Sequence, residues 1–178
     1  WGWRIPFLLS AALVVVGLWV RLRIGETPAF REALEHSPPP RVPIGTVLRH
    51  HWAAVIAGGA GVVACFAIFY LSTAFALGYM TTARLYGREA MLGIQLAANT
   101  FLALGIIVAG IWSDRSSPRR VLLAGAAATV LLGFLFGPAL AQAPLTGVFA
   151  TLCLALFVMG LAYGPLGAWL PRLFPVNV

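Results

Sequence analysis

Two of the uncharged stretches of this chain run from Ala90 to Ser113 and from Val121 to Pro171. An α-helix needs roughly 20 predominantly apolar residues to cross the hydrocarbon core of a bilayer. Both stretches exceed that length. Hydrophobic residues make up 61% of the chain and charged residues only 10%, whereas a water-soluble domain carries roughly 25% charged residues. The sequence therefore predicts a membrane protein.

The apolar runs divide into five predicted membrane spans. The stretch after Val121 is too long for one crossing, and Gly137-Pro138 together with Ala143-Pro144 predicts a break within it. No strand alternation with regular turns occurs, so the predicted fold class is all-α, a polytopic helical bundle. The spans expected are Ile5 to Val20, Trp52 to Ala83, Ala90 to Ser113, 121–137 and 146–170.

The arginines predict how these spans are oriented. The net charge is +7 and every basic residue other than histidine is Arg. The arginines flank apolar runs, which is typical of membrane spans and argues against a nucleic-acid partner. One set of loops holds three arginines (4, 84 and 88), and the other holds nine (21, 23, 31, 41, 49, 115, 119, 120 and 172). Because positive loops stay on the cytoplasmic side, the second set is predicted to be cytoplasmic and the first residue to lie outside.

No pattern in the chain predicts a metal or a cofactor. Cys65 and Cys153 lie inside apolar runs, where cysteine behaves as a small hydrophobe, and no metal-ligand spacing occurs. His36, His50 and His51 are expected to face solvent or lipid headgroups. The chain does not begin with Met, and we interpret it as a piece of a longer protein. Its first run, flanked by arginines, is expected to be a span and not a signal peptide.

The stretch "GIWSDRSSPRR", from Gly110 to Arg120, gathers four charges between two uncharged runs. Its residues Gly110, Asp114, Arg115 and Arg119 match the pattern Gly-x-x-x-Asp-Arg-x-x-x-Arg. This pattern resembles the cytoplasmic loop signature of the major facilitator superfamily. The stretches "WRIPFLLSAALVVVGLWVRLRIGETPAF", "YLSTAFALGYMTT" and "YGPLGAWLPRLFPVNV" resemble the metabolite:proton symporter group of that superfamily.

The resemblance implies a partial major-facilitator fold that runs from helix six to helix ten. It implies three segments: the sixth transmembrane helix of the N-terminal bundle, a cytoplasmic central loop, and the first four helices of the C-terminal bundle. Their expected limits are 1–22, 23–51 and 52–178. Within the loop, "TPAFREALEH" is expected to form a short helix with Thr27 as its N-cap.

The resemblance also implies a cytoplasmic gate formed by Gly110, Asp114, Arg115 and Arg119. Gly110 is expected to let two helices approach closely. Asp114 is expected to accept hydrogen bonds from a neighbouring helix and from arginines. The alternative is a solvated loop that only sets topology. The chain departs from the family at Ser117, where glycine is usual, at Pro118, where a basic residue is usual, and at Arg172, where glutamate is usual.

Four polar side chains in the predicted spans are candidates for a substrate cavity. Gln95 and Asn99 are four residues apart and share a helix face, and Tyr70 and Tyr163 carry hydroxyl groups within apolar runs. Amides inside a bilayer are costly unless they are paired or hydrated. The alternatives are contacts between helices for the amides and anchors at the membrane interface for the tyrosines.

The resemblance implies a transporter, not an enzyme. The expected activity is alternating-access transport of a small metabolite, an organic acid or a zwitterion, by proton-coupled symport across the inner (plasma) membrane. The expected partners are substrate, lipid and protons, with a monomer as the complete form. No Asp or Glu falls inside a predicted span, so a proton carrier is expected in another part of the protein. Three alternatives remain open: an exporter that runs as an antiporter, an integral-membrane enzyme and a non-transporting scaffold.

Overall fold

A computed structural model describes residues 2–23, 43–83, 85–142 and 144–174. Within these ranges, five helical segments are long and apolar enough to cross a membrane, which confirms the predicted all-α class and the predicted number of spans. The segments are Ile5–Arg23, Trp52–Thr82, Arg88–Arg115, Pro118–Ala141 and Leu145–Leu173. The short helix predicted from Thr27 lies outside the described residues.

The chain divides into two units near Pro43. In the first unit, α1 (Ile5–Arg23) follows a 3₁₀ turn at Gly2–Arg4. The guanidinium of Arg23 lies 4.8 Å from the centre of the Trp19 ring, a cation–π contact of the kind found where a helix leaves the bilayer. The predicted segment limits 1–22, 23–51 and 52–178 remain predictions.

The second unit contains seven α-helices among its described residues. They are α2 (Pro43–His50), α3 (Trp52–Tyr70), α4 (Ala76–Thr82), α5 (Arg88–Arg115), α6 (Pro118–Gln142), α7 (Leu145–Tyr163) and α8 (Leu166–Trp169). A π-helical segment, Leu71–Phe75, joins α3 to α4, and we call it the π turn. A 3₁₀ turn, Leu170–Leu173, follows α8.

The helix α6 corrects one predicted boundary. The sequence predicted that the fourth span ends at residue 137, but α6 continues through Pro138 to Gln142. Proline lacks the N–H that would serve the carbonyl four residues earlier, yet membrane helices tolerate it where neighbouring groups satisfy the freed backbone. The break expected at Ala143-Pro144 is confirmed, because α7 begins at Leu145 with Pro144 as its N-cap residue.

The helix α7 forms the centre of the second unit. It packs against α5, α6 and α3, and nine of its residues are buried. Glycine makes the closest of these contacts possible, at the crossing of α5 and α7. A methyl group on Gly105 would meet the carbonyl oxygen of Phe157, and a methyl group on Gly160 would lie 2.9 Å from the Cα of Gly105. Gly160 therefore serves the close packing of these two helices.

We predict that Gly105→Ala destabilises the protein by about 1–3 kcal/mol, because the added methyl group forces the two backbones apart. Gly93→Ala, on the same helix, is the matched control, because no atom lies within 4 Å of its added methyl group. Thermal unfolding of the purified protein in detergent would compare the two variants. Equal melting temperatures for both would contradict the close crossing.

Candidate functional site

The charged loop predicted as a gate connects α5 to α6 through Ser116 and Ser117. The hydroxyl of Ser117 accepts a hydrogen bond from the backbone N–H of Arg120 at 3.4 Å, and the Ser117 carbonyl accepts the N–H of Val121. Pro118 occupies the first helical position, where its missing N–H costs nothing. The departures from the family pattern at Ser117 and Pro118 therefore supply an N-cap and a first residue for α6.

Three of the four charges of this loop are opposed to the helix dipoles, and only Arg115, in the last turn of α5, matches one. Asp114 lies in the last turn of α5, where the dipole is negative, and Arg119 and Arg120 lie in the first turn of α6, where it is positive. All three side chains are exposed, and Asp114 forms no ion pair with any residue that the structure describes. Helix stability does not explain these placements, so topology or a contact with another part of the protein must explain them.

Arg119 also borders a recess between helices. A cavity of about 380 Å³ lies between α3, α6, α7 and Trp169 of α8, and its wall includes Gly61, Leu122 and Arg119. The remaining lining is apolar. Arg119 is thus a member of the predicted gate that also lines a cavity of the bundle.

Gly110 makes no close contact with another helix among the described residues, and its role in the gate remains a prediction. A methyl group on Gly110 would have no atom within 4 Å among the described residues, so no close helix contact is made there. Gly164 lies near the same end of the bundle, and a methyl group on it would come within 2.8 Å of the Ala109 side chain. Among the described residues, close approach on this part of α5 therefore occurs at Ala109.

The π turn is held by Gln95 of α5. Within the turn, the N–H of Ala76 bonds to the carbonyls of Leu71 and Thr73, whereas in an α-helix it would serve Ser72. The buried Gln95 amide donates to the Ser72 carbonyl at 3.2 Å and to the Thr73 carbonyl at 2.6 Å. Of the two roles that the sequence allowed for Gln95, the structure therefore shows the contact between helices. The Gln95 amide donates to the Ser72 carbonyl, which the Ala76 N–H does not serve in this turn.

The side-chain hydroxyl of Ser72 lies within the π turn and lacks a hydrogen-bond partner among the described residues. Its side chain is fully buried, and its hydroxyl makes no hydrogen bond within the described part of the chain. Other hydroxyls bond back to the carbonyl four residues earlier, as Thr73 does to Phe69 and Thr81 does to Leu77. An unpartnered buried hydroxyl costs about 1–3 kcal/mol, so Ser72 is a costly residue at this position.

The other three cavity candidates lie at exposed positions. Asn99 is exposed although Gln95, one turn earlier, is buried, so the two amides do not share an environment. Tyr70 and Tyr163 both neighbour Phe66, whose ring centre is 6.5 Å from that of each tyrosine. Tyr163 also lines a cavity of about 400 Å³ with Phe66 and Ile106. The structure thus joins the two tyrosines in one aromatic cluster and leaves Asn99 apart from it.

Within the described ranges, no group of three His, Cys, Asp or Glu side chains could hold a metal ion. His50 is exposed and His51 is partly buried, while His36, Glu32 and Glu35 lie outside the described residues. The position of the exposed His50 agrees with a solvent- or headgroup-facing side chain.

Three curated relatives match nearly all of this chain. It is 34% identical to the inner membrane metabolite transport protein YhjE of Escherichia coli, over the whole chain and 42% of that protein. It is 35% identical to the Escherichia coli shikimate transporter, over 87% of the chain and 36% of that protein. It is 29% identical to the ectoine/proline transporter ProP of Corynebacterium glutamicum, over 98% of the chain and 36% of that protein.

The chain therefore spans about two fifths of the length of the curated relatives that it matches. No family model matches it, and no solved structure matches it. The relatives are transporters and not enzymes, which decides against the integral-membrane enzyme. The expectation of a multi-pass membrane protein is confirmed.

We predict that Ser117→Ala loosens the first turn of α6, because the loss of an N-cap side chain costs about 1 kcal/mol. Amide hydrogen exchange at Arg120 should become several times faster. Ser116→Ala is the matched control, since the Ser116 hydroxyl bonds to the Trp112 carbonyl of α5 and not to α6. Unchanged exchange at Arg120 in Ser117→Ala would show that Ser117 does not cap the helix.

Proposed function

Because the chain belongs to the metabolite:proton symporter group of the major facilitator superfamily, we propose that the full-length protein is a secondary active transporter. It moves a small metabolite across the inner (plasma) membrane by alternating access. This chain contributes helices six to ten. The observation that carries the proposal is a match along nearly the whole chain to proteins named as metabolite transporters, combined with five helices of membrane-spanning length.

The loop between α5 and α6 acts as the cytoplasmic gate. Asp114 is exposed and has no partner among the described residues, although it sits against the negative end of a helix dipole. A charge in that position gains most from a hydrogen-bonded partner on another helix. Arg115 and Arg119 hold the cytoplasmic helix ends together while the cavity is open to the outside. Rocking toward the cytoplasm breaks these contacts.

The substrate is a small organic acid or zwitterion. The names of two relatives specify shikimate, an acid, and ectoine or proline, which are zwitterions. Tyr70 and Tyr163 face this substrate with hydroxyl groups that donate to a carboxylate, and both rings neighbour Phe66. Asn99, exposed on α5, is a further candidate contact. Gln95 contributes less as a donor, because its amide N–H groups are directed at backbone carbonyls.

Transport is coupled to protons by symport. A proton carrier inside a membrane must be an ionisable side chain, and the predicted spans hold no Asp or Glu. We place the carrier in the remainder of the full-length protein. The complete protein acts as a monomer.

We predict that Asp114→Asn in the full-length protein lowers the initial uptake rate by about tenfold, because a neutral amide forms a weaker gate contact than a carboxylate. Uptake of radiolabelled shikimate and of proline by expressing cells measures the rate, and immunoblotting of membranes measures insertion. Glu89→Gln, at the opposite end of the same helix, is the matched control and should leave uptake unchanged. Equal uptake by both variants would indicate that the loop sets the topology only and does not act as a gate.

Vesicles with an imposed pH gradient test the direction of coupling. We predict that reconstituted protein accumulates labelled shikimate or proline when the outside is acidic and not when the gradient is reversed, because inward proton flow drives symport. Accumulation only with the reversed gradient would instead indicate an antiporting exporter. The absence of flux for shikimate, proline and ectoine under either gradient would favour a non-transporting scaffold.

A further inference from the structure

We infer that Gln95 is a positioning residue: by holding the π turn, it sets which face α4 presents to the helical bundle. This inference concerns the conformation of the second span and does not depend on the transport function. It rests on three observations: the π-helical hydrogen bonds at Leu71–Phe75, the two bonds from the Gln95 amide, and the unpartnered hydroxyl of Ser72.

A π turn persists only where its surroundings favour it. π-helices are rare because their geometry is poorer than that of an α-helix. This turn directs the Ala76 N–H away from the Ser72 carbonyl and leaves the Ser72 hydroxyl without a partner. In a membrane, a backbone carbonyl without a donor is costly. The Gln95 amide removes that cost by donating to two carbonyls at once, so the turn depends on a side chain from another helix.

The alternative conformation at this point is an uninterrupted α-helix. A π turn accommodates about one residue more than the α-helical turn it replaces, and each residue of an α-helix advances by roughly 100°. If the turn relaxed to α-helical geometry, α4 would rotate by about that angle. Each residue of α4 would then take the angular position that its C-terminal neighbour holds now.

This rotation has opposite consequences for two adjacent side chains. Met80 is fully buried and Tyr79 is 39% exposed. After rotation, Tyr79 would take the buried position and Met80 would take the partly buried position of Thr81. The stacked pair of Phe75 and Tyr79, with ring centres 5.8 Å apart, would also leave its present place. Gln95 therefore fixes the side chains that the end of the second span directs inward.

Cysteine labelling can detect the rotation directly. The full-length protein would carry Cys65→Ala and Cys153→Ala, since both of these thiols are free, and any cysteine in the remainder of the protein would also be replaced. Met80→Cys and Tyr79→Cys would then be placed singly in this background, and their rates of reaction with a small maleimide would be measured in membranes. In combination with Gln95→Met, labelling at position 80 should rise about tenfold and labelling at position 79 should fall, as expected for a lost pair of hydrogen bonds.

The opposite directions of the two changes separate rotation from loosening, because general destabilisation would raise labelling at both positions. Thr100→Val is the matched control on the same helix, since the Thr100 hydroxyl bonds only to the Ala97 carbonyl of its own helix. It should change neither rate. If Gln95→Met left both rates unchanged, or raised both together, the inference would be wrong.

Deletion of Ala74 provides a second test that does not depend on how well Gln95→Met folds. Removing one residue from the π turn produces an α-helix while α4 keeps its present face, so Gln95 is no longer needed there. In the deletion background, Gln95→Met should have no effect on labelling. The deletion of Ala74 should also restore membrane insertion if Gln95→Met alone prevents insertion. A defect of equal size in both backgrounds would overturn the inference.

Discussion

The constraint on which this structure depends is that each backbone N–H and C=O inside a bilayer must find a partner in the protein. Helices meet it locally, which is why the apolar runs of this chain form five helices of spanning length. The constraint also explains the exception. In the π turn the Ala76 N–H does not bond to the Ser72 carbonyl, and the Gln95 amide from another helix donates to that carbonyl instead. An irregular turn within a span is thus kept only together with the side chain that satisfies it.

Close packing is the second consequence of an apolar surrounding. Lipid is as apolar as leucine, so burial alone does not hold helices together, and contacts between backbones become important. At the crossing of Gly105 and Gly160 no side chain separates α5 from α7. This contact holds α5 directly against the central helix.

Much of the fold could be predicted from the sequence, because the length of an uncharged run depends on composition alone. Features that depend on contacts between helices could not be predicted. Pro138 was expected to end a span, but the surroundings tolerate it. The close crossing of Gly105 with Gly160 joins two separate helices, and no motif in the sequence marks it. The hydrogen bonds of Gln95 join residues on separate helices, and no local sequence pattern predicts the π turn. The N-cap at Ser117 is different, because a Ser-Pro dipeptide is typical of the start of a helix and could have predicted it.

The central claim is that α5 crosses the membrane with the loop that contains Arg119 on the cytoplasmic side. The most direct measurement replaces Arg88 and Arg119 singly with cysteine, in protein that lacks Cys65 and Cys153, and labels intact cells with a maleimide that cannot cross the membrane. The account predicts that the cysteine at position 88 reacts in intact cells, whereas the cysteine at position 119 reacts only after the cells are opened. Reaction of both from the same side would contradict the topology and the gate proposed on it.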